Sequence, residues 1–185
     1  LIGFDGTGQA TMQLPEDLFI IGTMNLIDQS VEQIDFALRR RFLWERLGFD
    51  ASTISAVIQA RWKERGMDQA GGAQIVKRYP WSALEAHIAT MAGRASMLNT
   101  EIGRSEFLGP QYEIGHTYFF DIEAFVAEWP RLHAGNKTSQ LLWMRSGAPQ
   151  PPLVALWSRS LEPLLEQYLA GIDGPSRTQE LDRLR

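Results

Sequence analysis

Residues 20–42 read IIGTMNLIDQSVEQIDFALRRRF: an apolar run that leads into Asn25, then Asp28, then one short helix ending in Arg39, Arg40 and Arg41. A carboxamide both donates and accepts hydrogen bonds, so Asn25 can contact a phosphate oxygen while holding a water in line for attack. A guanidinium is a permanently charged fork of donors, suited to the charge that develops on a transferring phosphoryl group. Successive helical residues point about 100° apart, so the three arginines cannot all address one partner. One can face its own domain while another reaches the phosphates of a neighbouring molecule. A plainer reading exists for each feature alone: a turn-forming Asn at a strand end, and cations solvated at a helix terminus where the macrodipole favours them. The combination favours phosphate chemistry, because open α/β sheets bind ligands at the carboxyl ends of their strands.

The elements that must hold these groups follow from the pattern around them. LPEDLFIIGTMN contains a continuous apolar run, Leu18 to Ile21, of strand length and ended by Gly22. Such a strand belongs inside a sheet covered on both faces. Val31, Ile34 and Leu38 then give a helical face, with Asp28 or Ser30 placed to cap it. FLWERLGF alternates in the manner of a second strand. The opening LIGFDGTGQATMQ is Gly-rich and reads as a loop or loose hairpin.

Beyond about residue 50 the pattern is helical. DASTISAVIQARWKERG is a capped helix stopped by Gly66, and MDQAGGAQIVKRY is a connection. Pro80 opens a long helix with Leu84, Ile88, Met91, Ala95, Leu98 and Ile102 at helical spacing. SEFLGPQYEIGHTYF breaks it; DIEAFVAEW and TSQLLWMR are short helical pieces. PPLVALWSRSLEPLLEQYLAG closes as an amphipathic helix kinked or split at Pro163, and IDGPSRTQELDRLR is a polar tail.

Composition bounds the possibilities. The 185 residues are 44% hydrophobic and 22% charged, which is ordinary for a packed core. There is no cysteine, which excludes disulfides and cysteine-bound metal. The net charge of −4 argues against chain-wide electrostatic binding of nucleic acid, although residues 36–65 carry seven Lys/Arg against three acids. No apolar run reaches the roughly 18 residues of a membrane span, no signal-peptide pattern opens the chain, and the expected location is cytoplasmic. The absence of an initiator Met suggests that Leu1 is not the natural start. His87, His116 and His133 are too scattered in sequence to suggest a metal site, and none is expected. Trp129, Trp143 and Trp157 read as core.

LPEDLFIIGTMNLIDQS…DFALRRRF resembles the second half of the AAA+ module of McrB-type modified-cytosine restriction NTPases, whose pattern runs roughly LPENLYIIGTMNTADRS followed by D-[YF]-ALRRRF. LGPQYEIGHTYF is similar to that family's LG…F-IGHSYF block, and LEPLLEQYL to its helix near the end of the lid. The resemblance implies a fold class of α/β fragment, the last strands and helix of a Rossmann-like AAA+ core, followed by a mainly α-helical lid. The implied domains are residues 1–48 for the core part, 49–172 for the lid and 173–185 for the tail.

By the same resemblance Asn25 is the sensor-1 residue, Asp28 its polar companion near the γ-phosphate, and Arg40 and Arg41 the candidate trans-acting fingers, with Arg39 structural. His116 falls in the lid, either nucleotide-proximal or packed with its ring hydrogen-bonded to backbone. Gln29 replaces the family's Arg, removing a positive charge near the site, and Thr117 replaces a Ser. The implied cofactor is GTP or ATP with Mg²⁺. The implied partners are further copies in a hexameric ring, a McrC-like nuclease, and DNA contacted through other domains. Within the 185 residues neither GFDGTGQAT nor GGAQIVKRY completes a phosphate-cradling Gly-Lys-Ser/Thr loop, so this stretch is expected to be inactive alone and to bind nucleotide weakly or not at all. The rival readings are a helical interaction or nucleic-acid-binding module that uses its arginine cluster, and a MoxR-like AAA+ chaperone.

Overall fold

The computed structural model describes residues 2–4, 10–12, 17–23, 40–68, 71–132 and 141–185. The chain divides into two compact units, Leu1–Ile34 and Asp35–Arg185. In the first, β1 (Ile2–Phe4) and β2 (Ala10–Met12) pair antiparallel with Ile2 opposite Met12, the hairpin that the Gly-rich opening suggested. Residues 18–23 of the expected central strand carry no ladder, and Phe19 and Ile21 stand 87% and 92% exposed. Residues 43–50 in the second unit likewise form no strand, with Leu43 fully exposed. A strand exists only through its hydrogen-bonded neighbour, and among the described residues neither apolar run has one.

The described residues of Asp35–Arg185 are mainly helical. Asp50 caps α1 (Ala51–Met67), its carboxylate accepting from the Ser52 amide at 2.9 Å. Ile54, Ile58 and Trp62 form the buried stripe of α1, and the Trp62 indole donates to Tyr79 O at 2.9 Å. The helix passes through Gly66 and ends at Asp68 rather than stopping at the glycine. The following glycines open α2 (Gly72–Arg78), a helix where the sequence suggested only a connection. Gly71 takes φ 112°, and a Cβ on Gly72 would sit 2.2 Å from Arg65 O, so both positions require glycine.

Pro80 precedes α3 (Trp81–Arg104), which buries Leu84, Ile88, Met91, Ala95 and Ile102, with Leu98 half-buried. This face packs on α1. A 3₁₀ turn at Pro110–Tyr112 leads to α4 (His116–Phe120) and α5 (Ile122–Leu132). Glu123 on α5 forms a two-pronged ion pair with Arg65 of α1, through Nε and, at 3.0 Å, through Nη2. Glu123 is almost wholly buried, and the pair fixes α5 to α1.

Leu141–Gln150 is a tight turn, not the expected helix. Gln150 N donates to Leu142 O, Met144 N to Ala148 O, and Gly147 adopts φ 84°. The prolines that follow bias the preceding residues away from helix. The closing rod consists of α6 (Pro151–Leu156), a π-helical turn at Trp157–Leu161 and α7 (Glu162–Tyr168). Pro163 lies in the first turn of α7 and cannot donate, and the wide turn before it, closed by Glu162 N to Trp157 O, absorbs the misfit without breaking the rod.

The last segment is ordered as α8 (Gly174–Leu184), which corrects its reading as a polar tail. Asp173 caps it, Leu184 is buried, and Arg183 pairs with both Glu180 and Glu101 of α3 at 2.7 Å. Two apolar anchors, Leu181 and Leu184, suffice to dock a helix that is otherwise polar. No helix among the described residues is long and apolar enough to cross a membrane.

Candidate functional site

The residues singled out for phosphate chemistry divide between described and undescribed parts of the chain. Asn25, Asp28, Gln29 and Arg39 lie outside the described residues. Arg40 and Arg41 occupy an exposed turn ahead of Phe42.

Five residues further on, the chain is seized by the LGPQYEIGHTYF block. Arg46 Nη2 donates to Pro110 O at 2.7 Å and to Glu113 Oε2 at 3.2 Å. The other Glu113 oxygen accepts from the Phe49 amide at 3.1 Å. The Asp50 amide donates to His116 Nε2 at 2.7 Å, and the same nitrogen lies 3.1 Å from Asp50 O. With its proton on Nδ1, the imidazole accepts from the amide; with a proton on Nε2, it can instead donate to the carbonyl. The Phe49 and His116 rings stack at 5.0 Å, and Phe119 meets Phe49 edge-on at 5.6 Å.

The block is itself anchored from below. Buried Asn99 of α3 matches the backbone of Ile114 with both halves of its amide, Nδ2 to Ile114 O at 3.0 Å and Ile114 N to Oδ1 at 2.8 Å. Glu113 and His116 therefore hold residues 46–50 on one side, while Ile114 between them plugs into the core. His116 is thus hydrogen-bonded to backbone at Asp50.

Electrostatics follow the same contacts. Hydrogen bonds from Ser52, first from its hydroxyl and then from its backbone, hold the Asp50 carboxyl below the usual aspartate value, and His116 adds a smaller pull in the same direction. The cluster thus joins the exposed arginine turn to the start of α1 through two charged side chains and one imidazole. What it can do is fix the position of the arginine-bearing segment relative to the helices.

Arg46, Phe49 and Asn99 were not singled out from the sequence. The polar Asn99 on an otherwise apolar helical face was the visible signal, since a buried carboxamide is retained where it meets a backbone.

The chain is 28% identical to the type IV methyl-directed restriction enzyme EcoKMcrB subunit of Escherichia coli (strain K12) over 109 residues. That stretch is 57% of this chain and 19% of the subunit, so the match spans about a fifth of the relative's length. The similarity supports a relationship to McrB. No protein-family model matches the chain. No solved structure matches it.

Proposed function

We propose that the chain is the C-terminal part of a McrB-like AAA+ GTPase or ATPase subunit of a modification-dependent DNA restriction system. The reading rests on the partial similarity to the EcoKMcrB subunit, joined to the ordered blocks that contain Asn25, Arg39–Arg41 and His116. In it, residues 1–48 complete an α/β core and residues 49–172 form the lid. The apolar runs at 18–21 and 42–47, exposed here, are what unpaired strands of such a core would present.

Bound Mg²⁺–nucleotide supplies the phosphoryl group and the metal charge. Within this chain, the Asn25 carboxamide orients the attacking water and contacts the terminal phosphate. Asp28 accompanies it, and a guanidinium from Arg40 or Arg41 reaches the phosphates bound by an adjacent copy in a ring, hexameric by analogy. The exposed turn that carries Arg40 and Arg41 suits a group that acts outward. The contacts of Arg46, Phe49 and Asp50 with the lid block would couple the finger's position to the helical unit. A McrC-like nuclease and DNA, met through other domains, complete the assembly.

The test is kinetic. In the full-length protein, Arg40→Ala and Arg41→Ala are made separately. The one that removes the finger should bind nucleotide normally and lose about 10³-fold in turnover. Full turnover in both variants would contradict the proposal.

A further inference from the structure

The helical unit holds an open groove of about 700 Å³ walled by α3, the α6–α7 rod, the turn at Trp143 and the end of α8. Its surface is largely apolar, and Met97 and Val154, on different walls, are 68% and 51% exposed. Arg94 lies over the Trp143 ring, 4.0 Å from its centroid. A stacked guanidinium uses its face for the ring and keeps the N–H donors in its plane for a planar acceptor.

The other charges of the groove are committed. Arg185 pairs with Glu162 at 3.5 Å, and Glu101 is taken by Arg183 and Arg104. The ion pairs that engage Arg46, Arg65, Arg104, Arg183 and Arg185 pass over Arg94. The wall also contains two indole N–H groups, on Trp143 and Trp157, sealed from solvent with no acceptor among the described residues. The groove is thus largely apolar, and Arg94 is a charge in its wall outside the ion pairs.

We propose that this groove docks an acidic, apolar peptide segment of a partner protein, its apolar side chains seated along Met97 and Val154 and a carboxylate paired with the Arg94 guanidinium. Charge complementarity selects the carboxylate. The apolar rim selects a peptide over a compact solute, because it offers purchase to side chains spaced along a segment. Methionine at such a surface adapts to differing side chains. The site is independent of the phosphate chemistry proposed above.

A random peptide library displayed on phage, selected against the whole 185-residue chain, tests the inference. The expected binders combine Asp or Glu with apolar residues at helical spacing. Each should lose about tenfold or more in affinity to Arg94→Glu and to Met97→Asp, as read by fluorescence anisotropy. Both positions are exposed, and thermal melting checks that the variants fold. An opposite-charge swap, Lys for the peptide's acid against Arg94→Glu, should restore binding.

Binders without acidic excess, binders indifferent to both substitutions, or no binders at all would each overturn the proposal. Self-association that Arg94→Glu and Met97→Asp abolish, with no peptide bound, would overturn it in favour of a second copy of the chain.

Discussion

Phe49 and His116, separated by 67 positions in the chain, lie ring on ring at 5.0 Å with planes only 10° apart. The stack closes the joint at which the arginine-bearing segment enters the helical unit. His116 at the same time meets the backbone of Asp50, so one side chain secures both the ring before α1 and the cap that starts it.

Removing that ring should therefore loosen a joint without unfolding the core. His116→Ala forfeits the stack and the acceptor for the Asp50 amide, at about 1–2 kcal/mol together. Asn99→Leu strands a buried N–H and C=O of Ile114 and should cost more, about 3 kcal/mol. Chemical denaturation of the two variants measures the order; a costlier His116→Ala would count against the arrangement.

The ion pair between Arg65 and Glu123 predicts an asymmetry. Arg65 is about a third exposed, with its side chain at 32%, whereas Glu123 is at 10%. Arg65→Ala leaves the buried carboxylate without its partner, and about 2 kcal/mol is expected after allowance for solvent at the arginine. Glu123→Gln, which keeps one acceptor, should cost less. Gly72→Ala, whose Cβ would collide with Arg65 O, should destabilise by a comparable amount; thermal melts rank the three.

Much of this unit was legible in the sequence. The Leu84–Ile102 periodicity of α3 and the Asp50 cap rest on local rules of spacing and capping. The misses have non-local causes. Gly72 is required by close approach to Arg65 O, which no pattern announces. Residues 174–184 look like a tail because the helix carries only two apolar anchors and relies on Arg183 reaching α3. The turn at 141–150 is set by its glycine and the prolines that follow, which outweigh the apolar LLWM run. For the site, the block around His116 was legible as a motif, but its contacts with Arg46, Phe49 and Asp50 span more than sixty residues.

Deleting residues 173–185 should thus destabilise the helical unit, by about 2–4 kcal/mol from the loss of buried Leu184 and the Arg183 contacts. A truncated chain with an unchanged denaturation midpoint would show that α8 is dispensable.

Two titrations follow with opposite signs. Asp50 and Asp173 sit below the usual aspartate value because Ser52 and Ser176 hydrogen-bond to them, so their caps contribute stability above the unfolded value, about 3.9. That contribution is lost as pH falls through the lower folded values, and amide exchange at Ser52 and Ser176 should rise there. Tyr168 is pushed up to about 12, chiefly by burial and then by Tyr118 and Tyr112. Its contribution is complete below about pH 10 and is lost as pH rises toward 12. One tyrosinate signal should appear late, and Tyr168→Phe should remove it.

By calorimetry the 185-residue chain alone should show no micromolar binding of GTP or ATP, since it holds no phosphate-cradling loop.

The most direct test of the central claim mixes two crippled full-length proteins, one with Asn25→Ala and one with the finger arginine, Arg40 or Arg41, replaced by Ala. If the carboxamide acts on its own protomer's nucleotide and the guanidinium on its neighbour's, mixed rings contain some sites with both groups intact, and nucleotide hydrolysis rises well above the sum of the separate rates. A mixture no faster than that sum would contradict the account.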